Sequence, residues 1–359
     1  MIRIARVPAD ADASGEIGAF VGAHPAATAY AMPAWLAAMR RFMGVETRYH
    51  TATLDGRLVG VLPVAERPLH PWAAPLPAAL RPTRHDSLGH DCYAGPLVAV
   101  GLGDADAARI LAALVQSLDG PGALLRTLFP PAWAELDELR GRLVTEHGYR
   151  AVRGYPIGVK PLAGLTAATL PGTYHQSHKR AVEAARKRGV VVSAARDVGD
   201  YLEFCDLLDE TMEHAGASSG FSKDFIVEGG RALVRAGLGE LLLARVDGEP
   251  VAGVFVLGAA RSSCYWLGAS AKDEKAQKHR PMNAVFHRAF TDAIDQGRAW
   301  FELGGLVTEG LRTFKTRWGV RELEQHTYEW SYRDLAEPLR AARGRLAGRL
   351  AARLRPVTP

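Results

Sequence analysis

A chain of 359 residues, 48% apolar and 23% charged, is long enough to bury two hydrophobic cores and carries no low-complexity tract. Its net charge of +5 is concentrated in Leu335–Pro359, where six arginines face one glutamate, so the total does not imply a nucleic-acid-binding surface elsewhere. No apolar run reaches the roughly 20 residues that span a bilayer, and Met1–Val7 lacks a signal peptide's apolar core, so a cytoplasmic protein is expected.

The first half opens with a strand at Ile2–Val7, followed by helices at Glu16–Ala23 and Pro33–Met43. Strands Arg48–Leu54 and Leu58–Glu66 flank Asp55-Gly56, a pair that favours a tight hairpin. Helices are expected at Ala105–Leu118 and Pro131–His147, on either side of a strand at Ala123–Leu128. A stretch rich in Pro, Gly, Thr and Ala, Val159–Gly172, reads as a linker. Three dispersed cysteines (Cys92, Cys205 and Cys264) form no disulfide framework, and buried inert thiols are the expectation. His85 and His90 lie near Cys92, but no second Cys/His pair follows at zinc-site spacing, so no metal is expected.

In the second half, a helix at Tyr174–Arg188 ends at Gly189, and the valine-rich Val190–Ala195 reads as a strand. Tyr201–Ala215 is an amphipathic helix, and Ser222 caps another that runs to Ala236. A meander follows: Glu240–Val246, the Asp247-Gly248 turn, Val251–Leu257 and Ser262–Gly268. Pro281 starts a helix whose apolar face is Met282, Val285, Phe286, Ala289 and Ile294, and Gly297 stops it. A strand at Trp300–Leu303, a helix with Phe314 and Lys315, and strand structure at Glu322–Tyr332 complete the order. The second Asp-Gly hairpin echoes the first, which points to two copies of one α/β unit. The expected division is a domain at 1–158, a linker at 159–172, a domain at 173–334 and a basic tail at 335–359.

Four segments carry a family likeness: Ser177-His-Lys-Arg180, Ala185-Arg-Lys-Arg-Gly189, Glu302-Leu-Gly-Gly305 and Gly310-Leu-Arg-Thr-Phe-Lys-Thr-Arg-Trp-Gly319. On a doubled chain with this element order, the set resembles the FemAB/FemX group of GNAT-like enzymes. The resemblance runs from about Trp35 to Tyr332. It implies a mixed α/β fold of two tandem GNAT-like (acyl-CoA N-acyltransferase-like) domains, the first on the acceptor side. It implies an aminoacyltransferase that moves an amino acid from charged tRNA to an amine of a peptidoglycan precursor or small biosynthetic acceptor.

By the same resemblance, Lys315 occupies the functional lysine position beside Phe314. It would stabilise developing negative charge or hold the phosphate and ribose of the donor's terminal nucleotide. A surface lysine near a helix end is the alternative. Glu302, in a strand expected to be buried, would accept a proton from the attacking ammonium, or else cap a helix or pair with an arginine. Ser177, Lys179 and Arg180 would face acceptor phosphates, unless they form only a solvated basic face. Trp35 and Tyr93 align loosely with acceptor-contacting aromatics, against a reading as core packing. Phe314, Arg317, Trp318 and Tyr265 complete the implied substrate-binding set.

One departure bears on the donor. Acetyl-CoA-dependent GNAT enzymes resemble one another in a glycine-containing loop that cradles pyrophosphate. Here the stretch is Gln277-Lys-His-Arg-Pro-Met282, without glycine and with a proline that donates no amide. No tightly bound cofactor is expected; aminoacyl-tRNA is the expected co-substrate, acyl-CoA the alternative, and a non-catalytic binding module on the same fold a third reading. The tail repeats leucines at helical spacing among arginines. That suits contact with tRNA phosphates, peripheral contact with an anionic membrane, or docking on the protein itself.

Overall fold

The computed structural model describes residues 1–9, 15–68, 83–87, 94–118, 124–128, 150–324 and 326–331. In the first half β1 (Ile2–Pro8), β2 (Glu46–Leu54) and β3 (Arg57–Pro68) form an antiparallel meander. Asp55 and Gly56 at its turn take φ of 50° and 81°. Such paired left-handed residues match the twist of the flanking strands. Helices α1 (Glu16–Ala23) and α2 (Pro33–Met43) are inserted between β1 and β2. Pro33 sits in the first turn of α2, and Gly44 ends it at φ 62°. β4 (Thr83–Asp86), β5 (Leu97–Val98), α3 (Asp104–Gln116), β6 (Leu124–Leu128) and β7 (Arg150–Arg153) follow.

The second half begins at β8 (Ile157–Pro161) and continues with α4 (Gln176–Lys187), β9 (Val191–Ala194) and α5 (Val198–Ala215). Ser222 Oγ accepts from the Phe225 amide at 3.2 Å and starts a π-helical turn, Phe225–Gly229, that runs into α6 (Gly230–Arg235). β10 (Gly239–Val246), β11 (Glu249–Ala259) and β12 (Ser262–Ser270) form the second meander, turning at Asp247 and Gly248 with φ of 52° and 88°. Then come α7 (Glu274–Lys278), α8 (Pro281–Asp295), β13 (Trp300–Gly305), α9 (Glu309–Thr316), β14 (Arg321–Leu323) and β15 (His326–Ser331).

The two sheets repeat one plan. The first has the order β1-β2-β3-β4-β6-β15-β7, with β5 added beside β3; the second has β9-β10-β11-β12-β13-β8-β14. Each begins with an antiparallel meander, and each has one parallel junction at the same place, β4 with β6 and β12 with β13. In the sixth position the first sheet takes β15, a strand from the second half, while β8, at the start of the second half, fills that place in the second sheet.

The placement of β8 and β15 corrects the sequence reading at two places. The segment read as a linker starts inside β8, whose first four residues are buried. The final strand region, read as part of the second unit, divides: β14 pairs with β8, while β15 pairs with β6 and β7 of the first sheet. Local composition hides both facts, because Ile-Gly-Val-Lys-Pro looks like a linker and a strand's distant partner leaves no trace in its own pattern. The helix expected at Pro131–His147 and the basic tail lie outside the described residues.

A continuous apolar core joins the halves. Trp35 of α2 is fully buried and meets Phe225 and Trp266 edge-on at 5.6 and 5.4 Å, both from the second half. Ser262 Oγ also donates across this boundary to the Ala27 carbonyl at 3.0 Å. Among the described residues, no helix is long and apolar enough to cross a membrane.

Candidate functional site

β12 and β13 run parallel only over Ser262–Cys264 and Trp300–Glu302. Beyond that point β13 changes register against β8, between Glu302 and Gly305. Gly304 makes the change possible with φ 72°, a conformation side chains disfavour. The kink turns the Gly305 carbonyl toward α9, where Lys315 Nζ donates to it at 2.8 Å. Lys315 is 6% exposed and Glu302 5%. Burial pulls the Lys315 pKa down to about 8, and the nearby Glu302 carboxylate opposes that shift. Nζ also lies 5.5 Å from the Tyr265 ring centroid. Tyr265 has room because residue 268 is glycine: a Cβ there would come within 2.5 Å of the ring. Burial pushes the Tyr265 hydroxyl up to about 12, so it stays protonated.

α9 is fixed from behind. The His175 amide donates to the Arg317 carbonyl at 2.8 Å, and the His178 ring Nε2 bonds the Phe314 carbonyl at 2.9 Å. Trp318 is fully buried, with Tyr174 4.8 Å away edge-on and Phe290 5.3 Å away. Lys160 of β8 completes the support. Its ammonium is wholly buried and donates to the Trp318 carbonyl and to Thr173 Oγ1, each at 2.7 Å. It lies over the Tyr174 ring at 5.1 Å, and burial lowers its pKa to about 8. A cation there also suits the C-terminal end of α9, where helix carbonyls point outward.

A groove of about 730 Å³ runs beside Phe314, between the starts of α4 and α8. Arg180, Arg188, Arg280 and Arg317 line it together with Ser177 and Asn283, and no carboxylate does. Arg280 holds the N-cap of α8 at φ 57° with no side-chain cap, so the helix start faces the groove uncapped. Asn283 is buried and its amide nitrogen has no hydrogen-bond partner among the described residues. Four cations, a helix N-terminus and a spare amide donor make this groove suited to phosphate groups.

The expected site residues divide accordingly. Lys315, Glu302 and Tyr265 come together at the β12–β13 fork, and Phe314, Ser177, Arg180 and Arg317 line the groove beside α9. Lys179 falls on the other flank of α4, in a second groove with Tyr174 and His287. Trp318 and Trp35 are corrected: both rings are fully buried among other aromatics and reach no ligand surface. Tyr93 and Cys92 lie outside the described residues; Cys205 and Cys264 are buried thiols whose pKa values burial raises. Lys160, His178 and Asn283 were not anticipated. A lysine between valine and proline in an apolar stretch was the one available signal.

Residues 172–316 match the family described as acetyltransferase (GNAT) domain. No curated protein matches the sequence. Among solved structures, FemX is similar with a TM-score of 0.73 at 16% identity, covering 94% of this chain and 98% of FemX. The tandem GNAT protein from the clavulanic acid biosynthesis pathway is similar at TM-score 0.52 and 13% identity, covering 92% and 98%. L-PGS from Bacillus licheniformis gives 0.51 at 12% identity, covering 81% and 86%. The chain therefore has a FemX-like tandem GNAT fold, and residues 172–316 of its second half match the acetyltransferase (GNAT) domain model.

Proposed function

We propose that the protein is an N-acyltransferase that takes an amino acid from aminoacyl-tRNA and joins it to an amine of a cell-wall precursor or small biosynthetic acceptor. The observation that carries this reading is the buried Lys315, bonded to the Gly305 carbonyl near Glu302, one residue from the Phe314 that lines an arginine-rich groove. The groove suits the phosphates and sugar of a nucleotide-bearing donor, and in this reading the donor's ester carbonyl reacts at the fork.

In the reaction, the acceptor nitrogen gives a proton to the Glu302 carboxylate and attacks the ester carbon, forming the C–N bond. The carbonyl electron pair moves onto oxygen, where the Lys315 ammonium stabilises it; removing such a preorganised donor costs about 10²–10³-fold in rate. Collapse of the tetrahedral intermediate breaks the C–O bond; the departing ribose oxygen takes up the proton held by Glu302, and the nitrogen releases its remaining extra proton to solvent, leaving a neutral amide. The Tyr265 ring, its hydroxyl protonated, lies beside Lys315 Nζ and shields the fork from water.

The acyl-CoA reading has one specific support, the match of residues 172–316 to an acetyltransferase domain. The test is transfer from a fully charged tRNA pool to extract amines, with an acetyl-CoA reaction in parallel. RNase-sensitive consumption of one aminoacyl-tRNA is expected, and Lys315→Met should abolish it. Acetyl-CoA consumption without tRNA-dependent transfer moves the protein to the acyl-CoA reading. Saturable donor binding without turnover of either class makes it a binding module.

A further inference from the structure

We propose a second binding site, for a small zwitterion carrying one ammonium and one carboxylate, in the cavity at the opposite end of the second sheet. The cavity, about 430 Å³, lies between the β10–β12 meander and the last turns of α8. The arginine-lined groove touches α8 at Asn283, whereas the cavity touches it at Ala289, Asp292 and Ala293. At 1.5 Å per helical residue, Asn283 and Asp292 are about 13 Å apart, so the two spaces are distinct.

The lining has a positive pole and a negative pole. At the positive pole, Arg298 Nη1 donates to the Ala260 carbonyl at 2.7 Å, while Nη2 has only the Gln296 amide oxygen at 3.4 Å. No carboxylate pairs with this guanidinium among the described residues, and burial lowers its pKa. Beside it is Ser263, 2% exposed, whose hydroxyl lines the cavity and makes no hydrogen bond among the described residues. Residue 258 is glycine between them: a Cβ there would stand 3.2 Å from both Arg298 Nη2 and Ser263 Oγ. A guanidinium edge and a spare hydroxyl therefore converge over open space, the geometry that receives a carboxylate.

At the negative pole, Glu240 sits opposite Val256 in the β10–β11 ladder, two residues from Gly258. Asp292 is satisfied by Arg288, whose Nε donates to both its oxygens at 2.7 and 2.8 Å. Glu240 has no such partner among the described residues; it is half-buried, burial and Asp292 raise its pKa, and the Arg288 charge opposes them. Glu240, Arg298 and Ser263 line one cavity, so a single short molecule within it meets both poles. A ligand with a single charge would answer only one of these half-buried poles; a zwitterion answers both. Ala289 and Ala293 on α8 leave the volume open, and the cavity falls within the size range of small-molecule sites.

The proposal does not rest on the transfer reading. Calorimetric titration of the full chain with glycine, alanine, serine and β-alanine is compared with methylamine and acetate, without tRNA. At least one zwitterion should bind saturably where the single-charge compounds do not. Arg298→Gln and Glu240→Gln should each weaken that binding tenfold or more, with Gly258→Ala doing the same by filling the cradle; circular dichroism checks each fold. Lys315→Met should leave the titration unchanged. The proposal is overturned if no zwitterion saturates at millimolar concentration, if methylamine or acetate binds equally well, if Arg298→Gln and Glu240→Gln bind like the parent, or if Lys315→Met removes binding.

Discussion

Replacing Lys160 by methionine keeps most of the side-chain length and removes the charge, which makes it a direct test of how that lysine sits in the fold. In the unfolded chain a lysine holds its proton to about pH 10.5, whereas burial brings Lys160 down to about 8. Between those values the unfolded state binds more protons than the native state, so stability rises with pH through the window. At about 1.4 kcal/mol per unit of pKa difference, the whole gain is about 3 kcal/mol, and about 2 kcal/mol of it falls between pH 7 and pH 9.5. Methionine abolishes this contribution but leaves the buried Trp318 carbonyl without its donor, at a cost of about 1–3 kcal/mol. The two effects nearly cancel at pH 7. At pH 9.5 the variant should be less stable than the parent by about 2 kcal/mol more than at pH 7. Urea unfolding of both proteins at the two pH values measures the difference directly. Tyr174 and Cys264, whose pKa values burial raises, act in the opposite direction but are common to both proteins and drop out. A stability difference that stays constant with pH would refute the reasoning, because Lys160 would then not titrate in the window.

The remaining expectations follow from the same geometry. Transfer activity should fall above about pH 8 as the Lys315 ammonium loses its proton, and Lys315→Arg should move that limb out of range in a pH–rate profile while lowering the maximum rate. Trp35→Ala should cost about 3–5 kcal/mol in denaturant unfolding and leave the acceptor KM unchanged, since the ring fills core space between the halves. A chain ending at residue 324 loses β15 and leaves β6 and β7 without the strand between them, so it should show no cooperative unfolding of the first half by hydrogen exchange.

The legible parts of the sequence were those whose cause is local. Asp55-Gly56 and Asp247-Gly248 marked both hairpins because few other pairs take left-handed φ twice in succession. Pro281 and the apolar positions after it marked α8, and Phe314 and Lys315 fall in a helix, α9, as their segment's pattern predicts. What escaped had distant causes. Lys179 and Arg180 look like one basic pair, yet successive helical residues point about 100° apart, so Lys179 reaches only the second groove while Arg180 borders both. Trp35 and Trp318 looked like ligand contacts, but a large ring's surroundings depend on elements far along the chain. Lys160 was hidden because a fully buried lysine without an acidic partner runs against the ordinary distribution of charged residues.

Strands β8 and β15 tie these observations to one another. β8 pairs on one side with β13, which carries Glu302 and the Gly304 kink, and on the other with β14, which follows directly after α9. Lys160 projects from the same strand onto the Trp318 carbonyl, at the end of the helix that holds Lys315. The wall behind the fork is therefore built from the residues that connect the two halves, and a cut anywhere in 157–161 would remove the strand that sets Glu302 in register. β15 lies at the end of the second half and fills the equivalent slot of the first sheet. The first sheet is therefore completed by the second half, and the core around Trp35 is shared. The fork itself is framed by β8, β12, β13 and β14 of the second sheet, and it meets the first half through that core, where Trp35 of α2 packs on Trp266 of β12, the strand that carries Tyr265.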